Sequence, residues 1–145
     1  MPDIQHKLAV PYSAAQMYQL VDGIEDYATF LPWCRDSQVL SRNEDEVHAT
    51  LTLSAGAFQK SFTTCNRLQK DKMIEIRLVD GPFQRLEGFW RFENNDQGCE
   101  VSLDLEFEFS SKIIALAFGP VFHQVASSLV DAFRNRADEV YGEKK

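Results

Sequence analysis

Positive charge is in short supply. Fifteen lysines and arginines face 22 aspartates and glutamates, for a net charge of −7. Non-specific binding to a phosphate backbone needs a surplus of basic side chains, so a general nucleic-acid binder is excluded and DNA is not a partner. Cysteine is also scarce. Cys34, Cys65 and Cys99 lie more than thirty residues apart, with no C-x-x-C pair. An odd count at that spacing supports neither a disulfide framework nor a zinc knuckle, and it fits a reduced, cytoplasmic compartment. The three histidines, His6, His48 and His123, form no H-E-x-x-H and no i, i+4 pair, so no metal site is read from them. The G-x-S-x-G, G-x-G-x-x-G and P-loop patterns are missing. A proton-transfer enzyme needs a titratable group within reach of its substrate, and the inward-facing positions hold few. The chain therefore reads as a non-enzyme that requires no cofactor.

Apolar runs of membrane-spanning quality are lacking too. The opening MPDIQHKLAV has neither the apolar stretch of a signal peptide nor the Arg/Ser richness of a transit peptide. The longest uncharged stretch, Ile113 to Val130, contains Gly119, Pro120, His123, Gln124, Ser127 and Ser128. It reads as an amphipathic soluble helix rather than a transmembrane one.

Phenylalanine is abundant, at 11 residues against 4 Tyr and 2 Trp. Phe brings bulk without a polar handle, so a core or cavity lined with rings is expected. A chain of 145 residues is read as a single domain, 1–145, long enough to bury a real core.

Periodicity orders the elements. Ile4, His6, Leu8 and Val10 share one face of a first strand, which Pro11 ends. Ser13 and Gln16 have capping-box spacing before a short helix that Gly23 breaks, and a second short helix covers Ile24 to Thr29. Phe30 to Cys34 forms a Pro-containing loop. From Ser37 to Phe109 the chain reads as a meander, with turns at Ala55-Gly56, Asp80-Gly81-Pro82 and Asn94 to Gly98. Its last strand alternates most cleanly: Cys99, Val101, Leu103, Leu105, Phe107 and Phe109 point one way, Glu100 to Glu108 the other. Ser111 to Tyr141 then switches to helical period, a rod of roughly 45 Å with Pro120 placed to kink it. A sheet with one apolar face must cover it, and this helix carries the one large apolar stripe. The fold class is therefore α+β: a curved antiparallel sheet of about six to seven strands around a long C-terminal helix, with two short helices after strand 1.

Several segments resemble a known family nearly end to end, over residues 3 to 142. They are Val10-Pro11-Tyr12-Ser13-Ala14, Met17-Tyr18, Tyr27 to Cys34 (YATFLPWC), Asp80-Gly81-Pro82-Phe83, Trp90-Arg91-Phe92 and Ala132 to Ala137 (AFRNRA). Together they resemble the coenzyme Q-binding START-domain family, also described as oligoketide cyclase or lipid-transport proteins. The VPYSA start, the LVDGPF turn and the LAFGPVF helix are most similar to its bacterial ribosome association toxin branch. Cys65 departs from that branch, where a basic residue is expected. The resemblance implies a START-like helix-grip fold. It also implies a cavity between sheet and C-terminal helix that holds ubiquinone or a related isoprenoid lipid, in support of cellular respiration. For the toxin branch it implies binding to the large (50S) ribosomal subunit, blocking subunit association. A cyclase-type enzyme is the third reading; it rests on a label that matches fold relatives, and fold does not set function.

The inward-facing positions supply the candidate ligand site. From the strands come Phe62, Ile76, Leu78, Phe83, Leu86 and Trp90, followed by Leu103, Leu105 and Phe107. The long helix adds Phe118, Phe122 and Leu129, with His123 as a candidate polar anchor at the rim. A filled core is the competing reading of the same stripe. Trp33 beside Pro32 lies at the mouth, either as a lid and membrane-surface anchor or as a cover for the core edge; the former implies peripheral contact at the inner membrane face. Lys72, Arg77, Arg85 and Arg91 lie on adjacent strands, where they could meet ribosomal RNA. Glu75, Glu87 and Glu93 share their outward parity, and neutralisation across the strands is the favoured reading.

Overall fold

The computed structural model describes residues 3–55 and 58–142. The expected turn at Ala55-Gly56 therefore lies partly outside the described residues. Strand β1 (Asp3–Val10) leads into helix α1 (Ala14–Asp22), a 3-10 turn at Ile24–Asp26 and the single-turn helix α2 (Tyr27–Phe30). Six strands follow: β2 (Cys34–Arg42), β3 (Glu46–Ala55), β4 (Phe58–Gln69), β5 (Met73–Asp80), β6 (Phe83–Asn95) and β7 (Gly98–Phe109). Helix α3 (Lys112–Tyr141) closes the chain.

The seven strands form one antiparallel sheet in the order β1-β7-β6-β5-β4-β3-β2. Every pair but β1–β7 is a sequence neighbour, so the meander accounts for nearly all the topology. Irregular register within β2, between β4 and β5 and at Phe83/Arg85 bends the strands. Gly88 lets β6 and β7 approach: a Cβ there would lie 2.2 Å from the Asp104 carbonyl oxygen. Gly81, in the β5–β6 turn, has φ of +154°, and its missing side chain leaves room for Phe62.

Local signals set the helix starts. The Ser13 hydroxyl accepts the Gln16 amide at 3.1 Å and the Ser13 amide donates to Gln16 Oε1 at 2.9 Å, the reciprocal capping box. Ser111 caps α3 by accepting the Ile114 amide at 3.1 Å. The chain stays helical through Pro120, although proline offers no amide to the preceding turn. By length and composition α3 is apolar enough to cross a membrane. Here its Phe118, Phe122, Val130 and Phe133 are buried against the rest of the molecule. Helix α3 packs on β7, β1 and α1. The sheet thus grips α3, as the helix-grip resemblance implies.

Candidate functional site

The rings sort into two groups along α3. Phe122 stacks edge-on with Phe62, Phe83, Phe107 and Phe109, at centroid distances of 4.7 to 6.4 Å. Phe133 meets Tyr27, Phe30 and Trp90 at 5.4 to 5.5 Å. The two helix positions are eleven residues apart, or about 16 Å along the axis. Between them α3 presents Val125, Ala126 and Leu129, and β3 presents Ala49. Small side chains between two ring clusters leave a gap, and an apolar, partly open cavity of about 90 Å³ lies there. Trp33, Leu51, Ile76 and Leu129 in its wall are only half-buried.

Two wall residues are polar. Thr64 and Asn66 point inward from β4 and are both buried. The Thr64 hydroxyl donates to Asn66 Oδ1 at 3.0 Å. The Asn66 amide NH2 makes no hydrogen bond to protein among the described residues, which leaves a donor on a residue of the wall. The Tyr27 hydroxyl donates to the Val21 carbonyl, and burial pushes its pKa far above the usual tyrosine value. Among the described residues, no carboxylate, imidazole, lysine or arginine belongs to the wall. Cys34 lies nearby, but burial pushes its thiol up to about 11, so it is not a ready nucleophile. The wall can hold an apolar molecule and offer it one or two hydrogen bonds.

Of the predicted site residues, Trp33, Phe62, Ile76, Leu86, Trp90, Leu105, Phe122 and Leu129 line this cavity. Leu78, Phe83, Leu103, Phe107 and Phe118 face the same side of the sheet or helix but lie off the wall. Phe83, Phe107 and Phe118 belong to the ring cluster that closes one end, and Leu103 is sealed between Trp90 and His6. His123 is exposed and does not belong to the wall; the side chain next on the wall is Val125. Sequence reasoning missed Thr64 and Asn66 as the polar part of the wall, and Tyr27, Ala126 and Phe133 as further wall. Strand parity points Asn66 inward, but a buried amide is hard to anticipate without its partner.

Outside the cavity, two of the four basic residues singled out from the sequence, Arg77 and Arg85, are in ion pairs. Arg85 contacts Glu87 at 2.7 Å and Glu106 at 2.6 Å, and Arg77 contacts Glu75 at 3.1 Å. Arg91 lies over the Phe89 ring at 5.1 Å. Arg77 and Arg85 are neutralised as expected, but by Glu75 and Glu87 of their own strands; the cross-strand partner of Arg85 is Glu106.

Residues 10–134 match the family described as polyketide cyclase / dehydrase and lipid transport. The chain belongs to that family. Within it, the ribosome association toxin RatA of Escherichia coli (strain K12) is 44% identical over 142 residues, 97% of this chain and 90% of that protein. The mitochondrial coenzyme Q-binding protein COQ10 of Dictyostelium discoideum is 29% identical over 136 residues, 90% of this chain and 66% of that one. Among solved structures, a START superfamily protein from Mycobacterium smegmatis superposes with a TM-score of 0.70 at 18% identity, covering 95% of this chain and 98% of that one. The Zhui aromatase/cyclase from Streptomyces sp. R1128 gives 0.77 at 14%, covering 94% and 93%. The two structures share the START-like fold. The two curated relatives are named as a toxin and a binding protein, not as enzymes.

Proposed function

We propose that the protein binds a hydrophobic small molecule between β3–β7 and α3, and that an isoprenoid quinone such as ubiquinone, or a related lipid, is its guest. One observation carries this reading: a cavity walled mainly by apolar side chains, with the polar pair Thr64 and Asn66 and, among the described residues, no carboxylate, imidazole, lysine or arginine. The free Asn66 NH2 suits a carbonyl acceptor on the guest's head. The protein would act as a carrier or chaperone supporting respiration, working in the bacterial cytoplasm and at the inner face of the membrane. The name of the Dictyostelium relative supports the same ligand class.

The cavity of about 90 Å³ is smaller than the roughly 150 Å³ that accommodates benzene. Ligand entry therefore requires wall residues to move, and half-buried Trp33 and Leu129 are the side chains placed to do so. The test is lipid mass spectrometry of the purified protein, together with quinone uptake from vesicles. Bound prenylated quinone is expected, with uptake weakened about tenfold in Asn66→Leu, the loss of roughly one hydrogen bond. No lipid in the preparation and no uptake would overturn the carrier reading.

A second reading rests on the 44% identity to proteins named ribosome association toxin. In it, the chain binds the large ribosomal subunit and blocks subunit association. Sedimentation of ribosomes with and without the protein tests it: a shift from joined to separate subunits is expected, and unchanged profiles would remove it.

A further inference from the structure

The outer face of the sheet holds a second group of chemically able side chains, unrelated to the cavity. In the β3–β4 register His48 lies directly across from Cys65, and Glu46 stands two residues before His48 on the same strand face. The carboxylate oxygen, the imidazole nitrogen and the thiol sulfur all lie within 4.8 Å of one another. All three residues are half-buried, so the group is neither sealed nor fully solvated.

We propose that Glu46, His48 and Cys65 form a binding site for a zinc-class divalent ion on the outer face of β3 and β4. The donor set is the first argument. A thiolate and an imidazole favour borderline transition ions over magnesium or calcium, and a carboxylate completes a set found at zinc. Geometry is the second. Sulfur and nitrogen ligands of a tetrahedral zinc sit about 3.6 Å apart, from bond lengths of ~2.3 and ~2.0–2.1 Å. Contraction from the present separations needs side-chain rotation only, because the strand register already holds the Cα positions opposite each other. Electrostatics is the third. Glu46 and Glu75 both place negative charge near the Cys65 sulfur, opposed by Arg67, while Arg77, across from Cys65 in the β4–β5 register, is paired with Glu75. Arg67 is the competitor: its Nε lies 3.5 Å from Glu46. Both partners are substantially exposed, so that ion pair is worth little and is readily given up.

Binding replaces the thiol proton with the metal and releases that proton to solvent. Three protein ligands leave the fourth position to water. The ion would tie β3 to β4, the two strands whose opposite faces carry Ala49 and Asn66 into the cavity. The site is independent of what the cavity holds.

The test uses the reduced, metal-stripped protein titrated with Co²⁺ and then Zn²⁺. One equivalent of Co²⁺ should produce a thiolate-to-cobalt charge-transfer band that Zn²⁺ abolishes. Cys34 and Cys99 are buried, so the band reports Cys65. Cys65→Ser should remove the band, and His48→Gln should weaken Zn²⁺ binding by at least ~10–100-fold, the loss that even outer-shell substitutions cause. Arg67→Gln should tighten binding by freeing Glu46. Circular dichroism checks that each variant is folded, and His48→Gln carries the test if Cys65→Ser is not. No band in the wild type at millimolar Co²⁺, a band that survives in Cys65→Ser, or equal Zn²⁺ affinity in His48→Gln would each overturn the proposal.

Discussion

The two halves of α3 are built differently. The C-terminal half is locked. Val130, Phe133 and Ala137 are at most 1% exposed, the Tyr12 hydroxyl donates to Asp138, and the Tyr141 hydroxyl donates to the Gln16 carbonyl at 3.2 Å. The N-terminal half buries Phe118 and Phe122, but Ile113 and Leu116 are 80% and 81% exposed. Its tie to the strands runs through the ring cluster, which dispersion and burial hold without hydrogen bonds. A helix anchored at one end and held by rings at the other can shift at the ring-held end. The cavity lies between the two halves, so its volume depends on how far the N-terminal half moves.

Removing the Phe133 ring should cost most. It is fully buried and in contact with three other rings, so Phe133→Ala is expected to destabilise by ~3–5 kcal/mol, measured as a fall in the urea midpoint. Phe122→Ala should cost less, ~3 kcal/mol: the cavity adjoins both rings, but the ring-held half of α3 can relax partway into the space left and the anchored half cannot. It should also enlarge that cavity, so uptake of a benzene-sized apolar probe, followed by NMR, should rise. A larger loss at Phe122 than at Phe133 would break the contrast between the halves.

Much of this arrangement was legible beforehand, and the illegible part has a physical cause. Alternation told which residues of β6 and β7 face inward, because a period of two is a property of the backbone. The capping box at Ser13 and Gln16 was legible for the same local reason. Alternation does not tell how far along a strand the gap falls. Leu103 and Leu105 are therefore equivalent in sequence, yet the cavity includes Leu105 alone. Nor does spacing reveal cross-strand partners. His48 and Cys65 look unrelated along the chain and become neighbours through the β3–β4 register. His123 lies off the wall for a third reason. Its position on α3 lies one residue beyond Phe122, and a helix turns about 100° per residue, enough to carry it to solvent.

The next effect in size tests the anchor from the other side of the molecule. Helix α1 carries Gln16, whose carbonyl receives Tyr141, and the Ser13 cap sets where α1 begins. Ser13→Ala removes one half of a reciprocal capping box and should cost ~1 kcal/mol. The loss should be accompanied by faster amide exchange at the C-terminal end of α3, with exchange near Phe122 unchanged. Equal acceleration at both ends would mean that α3 is held as one unit.

The smallest effect is expected at the exposed turn of α3. Leu116 contributes almost no burial, so Leu116→Ser should change stability by no more than ~0.5 kcal/mol in either direction. That makes it the cleanest probe of the free end, because a functional change could not be blamed on unfolding. If the N-terminal half moves to admit a guest, Leu116→Ser should leave the amount of quinone bound at saturation unchanged and alter the rate of its uptake from vesicles. A loss exceeding 1 kcal/mol would show that this turn is packed in solution, and the distinction between an anchored and a free half would fall with it.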